Sequence, residues 1–166
     1  LNLATKIIAA LAFVALGAFA ALLASPERKA PEARFVTLGG ENFTTSQLRG
    51  KVTVVNFWAT WCPDCVKEMP RMVDAYRKYA PRGYEMVAVA VRDHPNRVAA
   101  YAQEQKLPFK VALDTTDEVS RRFGDVRITP TTFVIDKRGR MVRRFVGEPD
   151  WQEFDRVVEK ALAEPG

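Results

Sequence analysis

The chain has 166 residues, 48% of them hydrophobic and 27% charged, with no internal repeat or low-complexity tract, which suits one folded domain with one core. Two cysteines and one histidine rule out a framework of structural disulfides and leave zinc short of the four ligands it usually takes. The formal net charge of +5 comes without any RNA- or DNA-binding motif, so nucleic acid is not an expected partner.

At the amino-terminal end, residues 7–24 form eighteen positions without a charged or polar side chain, preceded by Lys6 and followed by Ser25-Pro26-Glu27-Arg28-Lys29. As a helix this run reaches roughly 27 Å, against a hydrocarbon core of about 30 Å. It is longer than the usual secretory h-region of about 7 to 15 residues, which favours a retained anchor. Ala18-Phe19-Ala20 nevertheless has the small-x-small form of a cleavage site, so residues 1–24 stand as a signal-anchor or a signal peptide. Either way the rest of the chain crosses a membrane. With Lys6 held inside, it faces outward, at the periplasmic face of a bacterial inner membrane if anchored and in the soluble periplasm if cleaved. Disulfides persist in such a compartment.

Residues 25–34 read as a linker and 35–166 as the folded domain. Short, Val-rich runs predict strands at 35–38, 52–58, 84–91, 109–113, 132–136 and 141–145. Helical patterns fall between them at 64–79, 96–105, 118–123 and 150–162. Asp117 and Pro149 fit helix entry, Gly124 fits an exit, and Pro70 is expected to kink the first helix. Strand-helix-strand alternation implies parallel pairing, while Lys137-Arg138-Gly139-Arg140 between two strands reads as a hairpin. The predicted class is α/β, a central mixed β-sheet flanked by helices.

Both cysteines lie in Trp61-Cys62-Pro63-Asp64-Cys65, directly after the apolar run that ends at Trp58. Two thiols at this spacing can close a small ring, and each can attack or leave in thiol-disulfide exchange. A helix beginning here points unpaired N–H groups and the positive end of its dipole at Cys62, favouring a thiolate. Cys62 is therefore the expected nucleophile and Cys65 the resolving thiol. A permanent staple is a poor alternative, because so short a loop constrains the unfolded chain little. The negative charge of Asp64 should raise the Cys62 pKa and push the couple towards reducing behaviour, with Pro63 and Asp64 together tuning the potential. Trp61 offers an apolar platform for a partner polypeptide, whereas Trp58 belongs to the core. His94 reads as a surface loop residue, and Arg138, Arg140, Arg143 and Arg144 as a solvated basic face or one drawn to an anionic membrane or an acidic partner.

Three segments carry a family resemblance: residues 56–65, reading NFWATWCPDC; Glu68-Met69-Pro70; and residues 128–136, reading ITPTTFVID, followed by Gly139. From about 35 to 162 the chain resembles the thioredoxin superfamily and, within it, the TlpA/ResA-like group of membrane-tethered extracytoplasmic thiol-disulfide oxidoreductases, related to CcmG/DsbE. That resemblance implies a thioredoxin-like fold with an N-terminal β extension and a strand-helix insertion at 93–125. It implies a cis bond before Pro130, with Thr129 pairing its backbone to a substrate segment, and an acidic catalytic neighbour at Glu68. Spacing alone would equally allow Glu68 to be an exposed helix residue. Thioredoxin carries a buried aspartate where this chain has Asn56, which cannot titrate, so Glu68 or water would have to move the proton.

The expected activity is reduction of protein disulfides, with no cofactor other than the redox-active Cys62–Cys65 disulfide. The resemblance suggests apocytochrome c or a copper-site assembly protein as substrate and a membrane thiol carrier as electron donor. Two alternatives stand beside it: a copper-binding module using Cys62 and Cys65 as soft ligands, and a peroxiredoxin-like peroxide reductase. The second lacks the Pro-x-x-x-Thr-x-x-Cys setting of a peroxidatic cysteine.

Overall fold

Seven consecutive residues, Val52–Trp58, are buried on both faces, and the strand they form, β3, lies at the centre of the sheet. The structure, a computed structural model, describes residues 28–166, so the apolar run at 7–24 lies outside the described residues. A hairpin of β1 (Arg34–Val36) and β2 (Asn42–Thr44) comes first, followed by β3, α1 (Pro63–Tyr79) and β4 (Tyr84–Val91). Then come α2 (Pro95–Glu104), β5 (Lys110–Asp114), α3 (Glu118–Arg122), β6 (Thr131–Ile135), β7 (Met141–Val146) and α4 (Trp151–Ala163).

The five main strands run in the order β5-β4-β3-β6-β7. β3 pairs parallel with β4, and β4 with β5, whereas β6 is antiparallel to both β3 and β7. The sheet is mixed and thioredoxin-like, as expected. Gly139, with φ of 80°, makes the turn between β6 and β7 that a side chain would strain.

Alternation along β3 splits the core into two layers. Val54 and Trp58 face Met69, Met72 and Phe154 on one side. Val55 and Phe57 face Phe35, Phe123 and Phe133 on the other. The ring of Phe57 packs edge-on against Phe123 and Phe133, with centroids 5.4 and 5.9 Å away. Truncating a phenylalanine buried in this way costs about 3–5 kcal/mol.

The details of helix entry differ from the sequence reading at α3. Asp117 has φ of 56° and makes no side-chain cap bond. Asp114, the buried end of β5, accepts instead from the amides of Val119 and Ser120, at 3.1 and 2.8 Å. The strand end reaches across the turn, so the cap comes from three residues earlier than sequence adjacency suggests. At α4 Asp150 caps the helix by accepting from the Glu153 amide at 2.8 Å. α1 continues through Pro70 as one helix of 17 residues. β2 was not foreseen, and the first strand ends at Val36, after which Thr37 bridges to Ala112 of β5.

Candidate active site at the end of the central strand

β3 delivers the chain to the first turn of α1, and the two cysteines sit there. Cys62 is the N-cap, with extended backbone, and its Sγ accepts from the Cys65 amide at 3.3 Å. Pro63 follows at the first helical position, where its missing N–H deprives the helix of nothing. Cys62 and Cys65 are joined as a disulfide, with Cα atoms 5.3 Å apart. Cys62 keeps 5% of its surface exposed and Cys65 none, so an incoming thiol or disulfide meets Cys62 first.

Opposite the disulfide, Thr129-Pro130 is a cis peptide, as expected, and the Thr129 carbonyl oxygen lies 3.5 Å from Cys62 Sγ. Two bonds hold this turn: Gly147, with φ of 83°, donates its amide to the Pro130 carbonyl at 2.8 Å, and the Thr131 hydroxyl donates to the Ile128 carbonyl at 2.8 Å. Thr129 is half-buried and Pro130 buried. Six large hydrophobic residues are exposed among the described residues, and four flank this site: Trp61, Val66, Ile128 and Val146. Trp61 and Ile128, at 50% and 60% exposed, stand on opposite sides of Cys62 in sequence terms, one before the dithiol and one before the cis-proline turn. Apolar side chains thus contribute much of the exposed rim, beside the charges of Asp64 and Lys67.

Glu68 is fully buried beneath the dithiol helix, three residues after Cys65, which excludes the exposed-glutamate reading. Its Oε1 accepts from Asn56 Nδ2 at 2.9 Å, and the same amide donates to Thr132 Oγ1 at 2.9 Å. Burial pushes the Glu68 carboxyl up to about 8, the Asn56 bond pulls the other way, and the charges of Glu148 and Asp64 add to the rise. Glu68 Oε2 and Asn56 Oδ1 are buried without a partner. A charged carboxylate with one oxygen unpartnered in the core is costly, so the arrangement suits the neutral acid.

Asp64 is exposed in the first turn of α1. Glu148, just past β7, is held below the usual carboxylate range by the Lys67 ammonium at 2.9 Å and the Trp151 indole N–H at 3.1 Å. The arrangement ties α1 to the loop after β7.

One part of the surroundings was not anticipated. After β4 the chain turns sharply at Arg92, with φ of 48°, and places Asp93 under the dithiol loop. Asp93 Oδ2 accepts from the Thr60 amide at 2.6 Å and the Thr60 hydroxyl at 2.7 Å. Burial raises the Asp93 carboxyl, but these bonds, the His94 amide and the Arg97 guanidinium at 3.1 Å outweigh it and hold the group below its usual range. The Arg92 carbonyl accepts from the Trp61 indole at 3.0 Å, and its guanidinium reaches the carbonyl of Arg127 at 3.2 Å. Arg92 and Asp93 thus join the dithiol loop to the segment leading into the cis-proline. The only hint in the sequence is an acid and a base directly after a strand whose end adjoins the site. His94 is exposed and caps α2 through Nδ1, which accepts from the Asn96 amide at 3.3 Å.

Residues 26–144 match the AhpC/TSA family. The chain is also 33% identical over 133 residues to the thiol-disulfide oxidoreductase ResA of Bacillus anthracis, covering 80% of this chain and 76% of that protein. The chain belongs to this family, as a ResA-type thiol-disulfide oxidoreductase. ResA of Geobacillus thermodenitrificans is 36% identical over 130 residues, covering 78% of this chain and 74% of that protein. Among solved structures, a thiol:disulfide interchange protein of the thioredoxin family from Chlorobium tepidum is 36% identical, with a TM-score of 0.76 over 84% of this chain and 99% of that one. The exposed apolar rim around Cys62 suits a polypeptide.

Proposed function

We propose that the chain is an outward-facing, membrane-tethered reductase of protein disulfides in which Cys62 attacks, Cys65 resolves and Glu68 moves the proton. The observation that carries this reading is the graded burial of the three groups along α1: Cys62 with only a sliver of its surface exposed, Cys65 enclosed, and Glu68 enclosed one turn further with a carboxyl near 8. The thiolate of Cys62 displaces one sulfur of a substrate disulfide and forms a mixed disulfide with the other. Cys65 then attacks Cys62 Sγ, closes the Cys62–Cys65 bond and releases the second substrate thiol, so two electrons pass to the substrate. A buried thiol must lose its proton before it attacks, and a carboxyl raised well above the usual carboxylate range is a better acceptor for it than an ordinary one. Asp64 biases the couple towards reduction, and Trp61, Thr129 and Pro130 hold the incoming segment.

The apolar run at 7–24 supports the tether and the outward orientation. A membrane thiol carrier would return the electrons, since an oxidising compartment drives dithiols to disulfides. The group resemblance supports the haem-binding cysteines of apocytochrome c, or a copper-site assembly protein, as the substrate. The test is a Cys65→Ser variant expressed in cells, which should accumulate mixed disulfides through Cys62 with such dithiol proteins. Recovery of dithiol-oxidising machinery alone, together with a midpoint potential near that of a strong oxidant, would overturn the reductase direction.

A further inference from the structure

A groove of about 610 Å³ runs along the start of β7 and past the end of α3. Arg28, Lys29, Arg122 and Arg144 line it over an apolar floor that includes Phe123 and Phe133, and among the described residues no carboxylate lines it. The Arg144 guanidinium lies 5.3 Å over the Phe133 ring, whereas Arg143 beside it is already paired with Glu153 at 2.7 Å. Four cations therefore face one groove with no carboxylate partner among the described residues.

Position selects the partner. The chain is fastened to this edge from its first described residues: the Met141 amide donates to the Arg28 carbonyl at 2.7 Å, and the Ala30 amide donates to the Gly139 carbonyl at 2.8 Å. Only residues 25–27 separate Arg28 from the apolar run, so Arg28 can lie at most about 14 Å from its end. The polar layer of a bilayer is itself roughly 5–8 Å thick on each side. A tether this short keeps the groove within reach of the phosphates. The register of the β6–β7 hairpin shows what then faces away. Met141 pairs with Ile135 at the groove end, and Val146 pairs with Thr131 beside the cis-proline, about 13 Å further along β6.

We propose that this groove docks anionic phospholipid headgroups, seating the folded part on the membrane with the dithiol end turned outward. The inference rests on the tether reading given above. Its charge, its apolar floor and its distance from the membrane-entering run each fit an anionic lipid surface.

The experiment uses the full chain in nanodiscs of phosphatidylcholine alone or mixed with phosphatidylglycerol, doped with a gadolinium-chelating lipid, and reads amide relaxation. Phosphatidylglycerol should raise relaxation at Gly124 and Arg144 relative to Trp61, and high salt should reverse the gain. In an Arg122→Ser/Arg144→Ser double variant the gain should be lost, since two fewer cations lower the docking equilibrium constant about thirtyfold. Equal relaxation in both lipids, or a gain that persists in the double variant, would overturn the docking proposal. If inorganic phosphate alone moves the same amides as far as phosphatidylglycerol does, the site belongs to free phosphate and the lipid assignment fails. Failure of the chain to stay on the phosphatidylcholine nanodisc overturns the tether reading instead. Salt-sensitive binding of that same chain to phosphatidylglycerol vesicles would then keep the groove proposal, and its absence would end both.

Discussion

Replacing Glu68 with glutamine keeps the size of the side chain and its bond to Asn56 while removing the titrating proton. In the fold the Glu68 carboxyl sits at about 8, against an ordinary value of 4.5 in an open chain. A folded pKa above the unfolded one means that the fold holds a proton which the unfolded chain releases, so stability falls as pH rises between the two values. The full difference corresponds to about 5 kcal/mol above pH 8, of which about 3 kcal/mol is already lost at pH 7. Below about pH 4.5 both forms are protonated and the effect vanishes. Glu68→Gln removes this pH dependence, while its Oε1 can still accept from Asn56 Nδ2. Urea unfolding of both proteins at a series of pH values measures the difference. The variant should gain on the wild type by about 1.4 kcal/mol per pH unit between roughly 5 and 8, then level off. A difference that stays flat across that range would refute the argument that Glu68 is buried as a neutral acid.

Three further outcomes follow from the same geometry. Asp64→Asn should shift the midpoint potential of the dithiol in the oxidising direction by about 10–30 mV, measured by equilibration with glutathione, because the lost charge no longer opposes the Cys62 thiolate. Asp93→Asn should cost about 1.5–3 kcal/mol at pH 7, the range for hydrogen bonds to a charged group. Because the Asp93 carboxyl is held below its ordinary 3.8, that benefit exists above this value and is lost as pH falls through the lower folded one, so thermal melts of variant and wild type should converge in acid. Asp114→Ala should destabilise by about 1–2 kcal/mol and speed hydrogen exchange at Val119 and Ser120, whose amides it caps.

The strands buried on both faces were the most legible part of the chain. Val52–Trp58 and Tyr84–Val91 match their predicted bounds, because continuous Val-rich runs leave no other way to bury both faces. The hairpin strand Asn42–Thr44 escaped because three residues with one apolar side chain carry no period, and its pairing is set by β1. At the site, the dithiol and its cis-proline could be read from local motifs. Whether Glu68 faces core or solvent could not, since that depends on β3 and β6 supplying Asn56 and Thr132 from opposite sides of a strand pair. The Arg92–Asp93 clamp was hidden for the same reason: its partners Thr60, Trp61 and Arg127 lie more than thirty residues away in sequence.

Both outer edges of the five-stranded sheet are engaged over a short stretch by the chain's own N-terminal segment. Thr37 and Leu38 meet β5, where the Leu38 amide donates to the Val111 carbonyl at 3.0 Å, and Lys29 bridges to Arg140 beside β7. Unpaired strand edges are where one molecule adds to another. The N-terminal segment thus withdraws part of each edge from such addition, at the β5 end through Leu38 and at the start of β7 through Arg28 and Ala30.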